Sequence, residues 1–337
     1  MGVFLGVLVG ILLVVGILLA ALMFRFRRNQ HRAAEAWRRF EPETLDLEPV
    51  EHLDIMPLVD ARTADDKLAD EEGVSYLIKA GDTRLLFDLG FNAQRESPSP
   101  LQRNAAALDV ELDTVDAVVI SHGHQDHVGG LKAQMAHSLV LPSVRLEQGA
   151  VPVYVPEPLQ HPTAALRVVE SPQIIARGVA TIGPISRPLF LLGLTPEQSL
   201  AVNLAGKGIV LIVGCGHQGV RHIVERAEAI FDEPLYGLVG GLHYPITGLR
   251  FQRIASADRP LWKLMTKDDV LDVIQYLKGK GLKRIALSAH DSCEWSLNAF
   301  QEAWGSDFGV VTVGQKIEFS STSNQEGAYY VSGDSIP

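Results

Sequence analysis

Short apolar runs alternate with helical patterns along most of the chain, which predicts a layered α/β domain. Runs typical of buried strands occur at 74–79, 83–89, 115–120, 199–204, 208–213, 235–239 and 283–288. Helical periodicity marks 104–108, 220–231 and 267–278. The proline-rich stretch at 142–196 indicates shorter strands and loops.

The first apolar run is longer than the others and predicts a membrane anchor. Residues 2–24 carry no charged side chain, and a helix of this length spans roughly 34 Å, enough for a bilayer core. A cleaved signal peptide is the alternative, but it would need a basic segment before the run and a small-residue cleavage site after it. Six arginines follow instead, between Arg25 and Arg39. By the positive-inside rule we expect a single-pass anchor with the N-terminus outside and the rest of the chain in the cytoplasm.

Composition divides the chain into segments and disfavours one class of partner. An acidic, proline-containing linker at 41–57 follows the arginines, so we expect an anchor at 1–24, a basic flank and linker at 25–57, a folded domain at 58–320 and a tail at 321–337. The net charge of −10 disfavours a nucleic-acid partner. The two cysteines do not lie in a small disulfide-dense domain, so reduced thiols and a cytoplasmic location are expected.

Four potential metal ligands directly follow the predicted strand at 115–120. They are His122, His124, Asp126 and His127. Side chains at i and i+2 of an extended loop point the same way, so the first two can bind one ion and the last two a second. Two cations about 3.5–4 Å apart can share a bridging hydroxide and stabilise both oxygens of a displacement reaction. Imidazole and carboxylate ligands suit zinc, iron or manganese.

Three later strands end in the same way. His217, His243 and His290 each follow a predicted strand within a few residues. Functional groups gather at the carboxyl ends of strands in layered α/β folds. The repetition of this pattern favours metal ligands over ordinary loop histidines.

The His-x-His-x-Asp-His segment, with the strand before it and Gly-Gly-Leu after it, resembles the signature of the metallo-β-lactamase superfamily. The resemblance implies an αββα sandwich over about residues 50–320, with the metals at one edge of the two sheets. It also implies that Asp88, in a strand-end Asp-x-Gly, orients the metal loop. Cys215 stands where members usually carry a metal-bridging aspartate. A thiolate could bind metal there, and a small buried cysteine is a nearly equal alternative.

One branch of the superfamily is especially similar. Gly-Cys-Gly-His-x-Gly at 214–219 and Gly-Gly-Leu-His at 240–243 resemble the 7,8-dihydropterin-6-methyl-4-(β-ribofuranosyl)aminobenzene-phosphate synthases. Members of that branch often end in His-Cys-Thr-Gly, whereas this chain has His-Asp-Ser-Cys at 290–293. It also carries an insert at 244–264 that is either a solvated loop or a site for a ring and a phosphate. The insert residues considered for binding are Tyr244, Pro245, Arg250, Phe251, Arg253, Arg259 and Trp262.

These features together predict a membrane-anchored hydrolase with two divalent metal ions, zinc being expected and manganese or iron the alternatives. A metal-bound hydroxide would attack an ester or phosphoester of a small-molecule substrate, with phosphorylated and pterin-like compounds as candidates. Asp126 and His290 are the candidate catalytic residues. One ion is assigned to His122, His124 and His217 or His243, and the other to Asp126, His127 and His290. A transferase that joins a dihydropterin to an aminobenzene-ribose phosphate is the alternative, and a non-catalytic membrane sensor is the second alternative.

Overall fold

Two mixed β-sheets lie face to face with helices on both outer surfaces, which confirms the αββα fold. The computed structural model describes residues 2–147, 151–247, 258–260 and 263–322. The strands are β1 (His52–Val59), β2 (Ser75–Ala80), β3 (Thr83–Phe87), β4 (Ala117–Val119), β5 (Pro152–Val155), β6 (Ala165–Val168), β7 (Gln173–Ala176), β8 (Val179–Thr181), β9 (Ile185–Leu189), β10 (Gly193–Glu197), β11 (Leu200–Leu204), β12 (Gly208–Val213), β13 (Leu235–Gly240), β14 (Arg284–Leu287), β15 (Phe308–Val310) and β16 (Ile317–Ser320). The helices are α1 (Gly2–Arg39), α2 (Pro100–Ala107), α3 (Leu131–Met135), α4 (Val144–Glu147), α5 (Val220–Ile230), α6 (Lys267–Gly279) and α7 (Glu294–Trp304).

Each sheet is half parallel and half antiparallel. The first has the order β16-β1-β2-β3-β4-β5-β6 and the second β15-β14-β13-β12-β11-β8-β7, while β9 and β10 form a separate hairpin. The strands from β3 to β6 are parallel, as are those from β12 to β15. The carboxyl ends of each parallel set therefore lie at one edge of its sheet, and the two edges adjoin.

Three apolar layers hold the sandwich together. The middle layer fills the space between the sheets and includes Leu53, Tyr76, Val202 and Ile212. One outer layer packs α5, α6 and α7 on the second sheet, and the other packs α2 and α3 on the first. All six residues of β12 are buried, because a central strand covered on both faces needs a continuous apolar run.

The predicted strands and helices are present, with ends that differ by a few residues. The main difference lies at the start of the sheet, because β1 begins at His52, before the domain start expected at residue 58. Its burial alternates along Leu53, Asp54 and Ile55, and its pairing with β2 is irregular after Pro57. A half-polar strand interrupted by proline gives a weak sequence signal, since proline cannot donate to the ladder.

Helix α1 continues without a break from the apolar segment through the arginine-rich flank. Its first part is exposed, with a mean hydropathy of 3.1 in its most apolar window. Among the described residues it is the one helix long and apolar enough to cross a membrane, a test that a signal sequence also passes. The basic flank, for which no secondary structure was predicted, is helical because Phe26, Asn29, Ala33 and Trp37 recur at helical spacing and turn towards the domain.

The second part of α1 packs on the domain. The Phe26 ring lies 5.3 Å from that of Phe190, edge to face. The Trp37 ring lies 4.5 Å from that of His222 on α5. Beyond the helix, the backbone N–H of Leu45 donates to the carbonyl of Ile230, at the other end of α5. The chain from 26 to 45 therefore lies along the domain surface.

Candidate metal centre

The structure brings all eight sequence-predicted ligands to the edge where the parallel strands end. The loop after β4 supplies four of them, the loop after β12 supplies two, and the loops after β13 and β14 supply one each. In that order they are His122, His124, Asp126, His127, Cys215, His217, His243 and His290.

A glycine permits the close approach of two of these loops. Gly240, the last residue of β13, has a φ of 119°, and a Cβ there would overlap the carbonyl oxygen of Val213 at the end of β12. Only glycine adopts this conformation without strain. The loops that carry Cys215 and His243 can therefore start from neighbouring strands and lie next to each other.

Two groups of donor atoms share one sulfur. Asp126, His127, Cys215 and His290 form one group, and His122, Cys215 and His217 form the other, with the donor atoms of each group within 4.8 Å of one another. Cys215 Sγ lies 3.0 Å from His127 Nε2 and 3.1 Å from His290 Nε2. Cys215 thus lies between the groups, where the resemblance implies a bridging ligand.

Two histidines lie beside these groups. His124 Nδ1 is 3.0 Å from His122 Nε2, and its Nε2 is 3.4 Å from Thr195 Oγ1. The ring centroid of His243 is 4.8 Å from that of His217. Both alternatives for completing the first ion site line the adjacent cleft, but of the two only His217 belongs to a donor group.

The electrostatics leave most of the donors ready for a cation. His127 is the exception: burial by itself would lower its pKa, but Cys215, Asp88 and Asp126 raise it well above the usual range. Burial lowers the pKa of His124 and His243 to about 4 and that of His290 to about 3, so these imidazoles are neutral at pH 7. Burial by itself would raise the pKa of Asp126, but His127 and the neighbouring histidines hold it well below its usual range. Burial raises the pKa of the Cys215 thiol, and a bound cation would lower it again.

The residues present fit a divalent transition metal. They offer imidazole nitrogen, carboxylate oxygen and sulfur, which are the donors that zinc prefers, at bond lengths of about 2.0–2.3 Å. Donor separations of 3.0 and 3.1 Å around Cys215 agree with atoms that surround a common ion. Across the described part of the chain, His217 Nδ1 is among the few buried polar side-chain atoms that lack a hydrogen-bond partner.

Asp88 holds the metal loop in the way that the resemblance implies. Its Oδ1 accepts the backbone N–H of Ser121 at 2.6 Å, and its Oδ2 accepts the Ser121 hydroxyl at 2.7 Å. The same Oδ2 is 2.7 Å from His127 Nδ1. A proton held on Nδ1 leaves the Nε2 lone pair directed at Cys215 and the candidate ion.

Glu197 performs the corresponding task for the Cys215 loop, and sequence reasoning missed it. Its Oε1 accepts the backbone N–H groups of Cys215 at 3.1 Å and Gly216 at 2.8 Å, and its Oε2 accepts that of His217 at 2.8 Å. Burial raises the pKa of Glu197 to about 7, although these hydrogen bonds oppose the shift. The signal that the sequence offered for this role was the position of an acidic residue at the end of a strand, β10.

Asp60 and Asp291 support the last two loops and were also missed. Ser288 donates its hydroxyl proton to Asp60 Oδ2 at 2.7 Å, so its oxygen accepts from His290 Nδ1 at 2.5 Å and His290 Nε2 faces Cys215. Asp291 Oδ2 accepts the backbone N–H of His243 at 2.8 Å. Both acids follow strand ends, where a single aspartate is equally typical of a turn.

A cleft of about 650 Å³ opens over the donor groups. Its polar lining includes Asp126, His243 and His290, and its apolar lining is formed by Phe91, Leu191, Leu192 and Pro245. Beside His217 lies a side pocket of about 70 Å³ that includes Tyr244 and Arg259 from the insert. Arg259 Nη1 pairs with Asp269 Oδ2 at 2.8 Å. Arg250, Phe251, Arg253 and Trp262 lie outside the described residues.

The sandwich and its ligand-bearing loops define a known class of protein. Residues 69–224 match the model of the metallo-beta-lactamase superfamily, the family that the ligand loop resembles. A crystal structure described as a metal-dependent hydrolase of the beta-lactamase superfamily has a TM-score of 0.56 and 20% identity, and the match covers 80% of this chain and 99% of that one.

Two relatives from Methanocaldococcus jannaschii match more than half of the chain at a sequence identity below 30%. An uncharacterized protein is 28% identical over 55% of this chain and 77% of its own length. A 7,8-dihydropterin-6-methyl-4-(beta-D-ribofuranosyl)-aminobenzene-5'-phosphate synthase is 23% identical over 74% of this chain and 90% of its own length. The second is similar to the chain across most of the domain, in agreement with the branch expected from the glycine-rich turns.

The shared sulfur leads to a prediction about metal content. Cys215→Leu should lower the metal content of the purified full-length chain below that of wild type, because it removes a donor from both groups. Cys215→Asp should retain more metal than Cys215→Leu, since a carboxylate can also bridge. Elemental analysis of chelator-free protein measures this.

Cys293→Ser is the matched control, because Cys293 is the other cysteine of the chain and belongs to neither donor group. It should leave the metal content at the wild-type value. Equal metal content in Cys215→Leu, Cys215→Asp and Cys293→Ser would show that Cys215 is a packed interior residue and not a metal ligand.

Glu197 leads to a prediction about pH. Its folded-state pKa of about 7 exceeds the ordinary value of 4.5, so its stabilising contribution is complete below about pH 4.5 and is lost as the pH rises through 7. Glu197→Gln removes this dependence. We compare the free energy of unfolding of wild type with that of Glu197→Gln in the presence of a metal chelator. Between pH 5 and pH 8 the wild-type value should fall by about 2 kcal/mol relative to the value of the variant.

Denaturant unfolding in detergent at several pH values measures that difference. Glu302→Gln, at an exposed position of α7, is the control for the loss of one carboxylate. Parallel pH profiles for wild type and Glu197→Gln would contradict the assigned role.

Proposed function

We propose that this protein is a membrane-anchored hydrolase that uses two divalent metal ions to cleave an ester or phosphoester of a small molecule. The observation that carries the proposal is the sharing of Cys215 by two donor groups. Ions held by both groups would be neighbours, which is the arrangement used for displacement at phosphorus or carbonyl carbon. The crystal structure with the same fold, described as a metal-dependent hydrolase, supports the reaction class.

The geometry suggests how the ligands are shared. His122, His217 and Cys215 would hold one ion, with His124 beside it, and Asp126, His127 and His290 would hold the other together with Cys215. Zinc is the expected ion because of the nitrogen and sulfur donors, and manganese and iron are the alternatives. When bound, such ions polarise the bond to be cleaved and lower the pKa of water.

The chain's own side chains would orient the reactants. The Asp126 side chain is 24% exposed, borders the cleft and remains ionised at neutral pH, so it can orient a water molecule and accept its proton. His290 is held in one orientation through Ser288 and Asp60. His243 lines the wall of the cleft and would hydrogen-bond a leaving group there. The cleft volume of about 650 Å³ suits a small-molecule substrate.

The location of the domain is part of the proposal. The exposed apolar part of α1 would span the membrane once, and the arginines after Phe24 would keep the domain in the cytoplasm. Both cysteines are free, which is compatible with a reducing compartment. The net charge of −10 disfavours nucleic acid as a substrate.

A transferase is the second candidate, and one observation favours it. The relative named as a dihydropterin–aminobenzene synthase matches 74% of the chain, and a phosphorylated or pterin-like substrate would follow from that likeness. Against it stands His-Asp-Ser-Cys at 290–293, where the buried Asp291 holds the His243 loop. The sensor alternative is disfavoured, because a non-catalytic protein has no need to keep two complete donor groups.

Hydrolysis and transfer can be separated by one assay. The full-length chain, loaded with zinc or manganese, should cleave at least one simple phosphodiester, ester or lactone in a broad panel without a second organic substrate. His122→Ala and His290→Ala should reduce that turnover at least about a hundredfold, because each removes a ligand. Product release measured by absorbance or chromatography gives the rates.

His52→Ala is the matched control, since His52 is exposed at the end of β1 opposite Asp60. It should retain wild-type turnover. The transferase would be favoured over the hydrolase by two results together. No panel substrate would be cleaved, and a pterin pyrophosphate would be consumed only when an aminobenzene-ribose phosphate is added.

The orientation in the membrane gives a further prediction. A reporter that functions only in the cytoplasm should be active when fused after the C-terminal residue, because the arginines between Arg25 and Arg39 resist translocation. Neutralising the exposed Arg27, Arg28 and Arg32 should reduce that activity. Activity of an exported reporter alone at the same position would reverse the proposed topology.

A further inference from the structure

Helix α1 leaves the domain at the edge that carries the donor groups. The backbone N–H of Leu45 donates a hydrogen bond to Ile230 at the C-terminal end of α5. Trp37 instead contacts His222 in the first turn of α5, which follows His217 closely in the chain. From there α1 runs on towards its N-terminus, and Phe26 reaches Phe190. The exposed apolar part of the helix therefore projects beyond the edge at which the cleft opens.

The tip of the β9–β10 hairpin connects the helix to the cleft. Phe190 packs on Phe26, and the carbonyl of Leu191 accepts a hydrogen bond from Arg25 Nη2 at 2.7 Å. Leu191 and Leu192 also line the cleft. Since Arg25 directly follows the apolar run, the point where α1 would leave the bilayer is in contact with the wall of the cleft.

Exposed apolar side chains occur on two elements that line the same cleft. Leu192 is 46% exposed at the hairpin tip. On α3, immediately after the metal loop, Leu131 is 47% and Met135 75% exposed, while Gln134 of the same helix lines the cleft. Apolar groups in such positions are unfavourable in water and favourable in a lipid surface.

The charges near the opening suit the surface of a membrane. Arg27, Arg28 and Arg32 are exposed on the first turns of α1 after the apolar run. Each basic side chain close to an anionic leaflet adds to the attraction between the chain and the membrane surface. Apolar contacts at the opening and cations beside it therefore favour one occupant, the lipid bilayer in which the helix itself would lie.

We infer that the mouth of the cleft rests on the cytoplasmic leaflet and receives a membrane-dissolved amphiphile. The head group would carry the ester or phosphoester and reach Asp126 and His290, and the apolar tail would leave past Leu191 and Leu192 into the bilayer. Water would add to the carbonyl carbon or phosphorus, the bond to the leaving oxygen would break, and that oxygen would take up a proton. The hydrolytic step rests on the proposed reaction, and the placement of the mouth rests on the proposed membrane anchor and its orientation.

Placement is tested without turnover. The full-length chain, carrying a bimane fluorophore on Leu192→Cys, is reconstituted in vesicles of phosphatidylethanolamine and phosphatidylglycerol that contain acyl-chain-brominated lipid. The fluorophore at 192 should be quenched much more strongly than one on Leu271→Cys, the matched control at a leucine of α6 that is 43% exposed. Labelled unsubstituted chain gives the background from Cys215 and Cys293. Equally weak quenching at both positions would overturn the placement.

The substrate class is tested with matched pairs in the same vesicles. Hexadecyl and methyl p-nitrophenyl phosphate form one pair, and p-nitrophenyl palmitate and acetate form the other. Wild type should prefer the long-chain member in kcat/KM, and Leu192→Glu should lower that preference roughly tenfold, the loss expected for one leucine contact. Leu271→Glu should leave the preference unchanged.

The outcomes separate the two proposals. Turnover with no long-chain preference, or a preference that Leu192→Glu does not alter, overturns the membrane substrate and leaves the hydrolase intact. Absence of turnover on every substrate, with strong quenching at 192, refutes the hydrolase and its amphiphilic substrate and leaves the placement of the mouth standing.

Discussion

Buried carboxylates that bind the backbone of the ligand loops are the interaction on which the site depends. Asp88, Glu197, Asp60 and Asp291 each accept a backbone N–H from a loop that carries metal-type donors. An ionised carboxylate is costly to bury unless hydrogen bonds and positive charge offset the loss of water. Backbone amides supply the first, and a bound dication would supply the second. Folding of the edge and occupation of the donor groups would then be coupled.

The sequence could predict which side chains meet at this edge, because their arrangement follows from topology. Strand-end histidines meet when the strands are parallel and neighbouring, so His217, His243 and His290 could be expected near the His-x-His-x-Asp-His loop. The choice between His217 and His243 depended on loop conformation, and His243 has a backbone φ of 55° that no local pattern announces. Glu197 and Asp60 were missed because their partners are distant in sequence, and a lone acidic residue at a strand end looks like a turn residue.

The arginine-rich flank shows a second limit of pattern analysis. Phe26, Asn29, Ala33 and Trp37 lie on one helical face, but the charges around them resemble a solvated segment. The partner of Phe26 is Phe190, which belongs to a hairpin whose place in the fold only the tertiary structure provides. Hydropathy alone predicted the long apolar segment at the N-terminus, since length and composition suffice for that, but it could not predict how the helix is attached to the domain.

The unbroken path of α1 has a mechanical consequence. A helix that is continuous from its apolar segment to side chains packed on the domain acts as a lever rather than a flexible tether. Transmembrane helices tilt to match their hydrophobic length to the thickness of the bilayer. With the apolar segment in a bilayer, as proposed, any change of tilt would rotate the whole sandwich with it, and the thickness of the surrounding lipid would set the angle at which the domain meets the membrane.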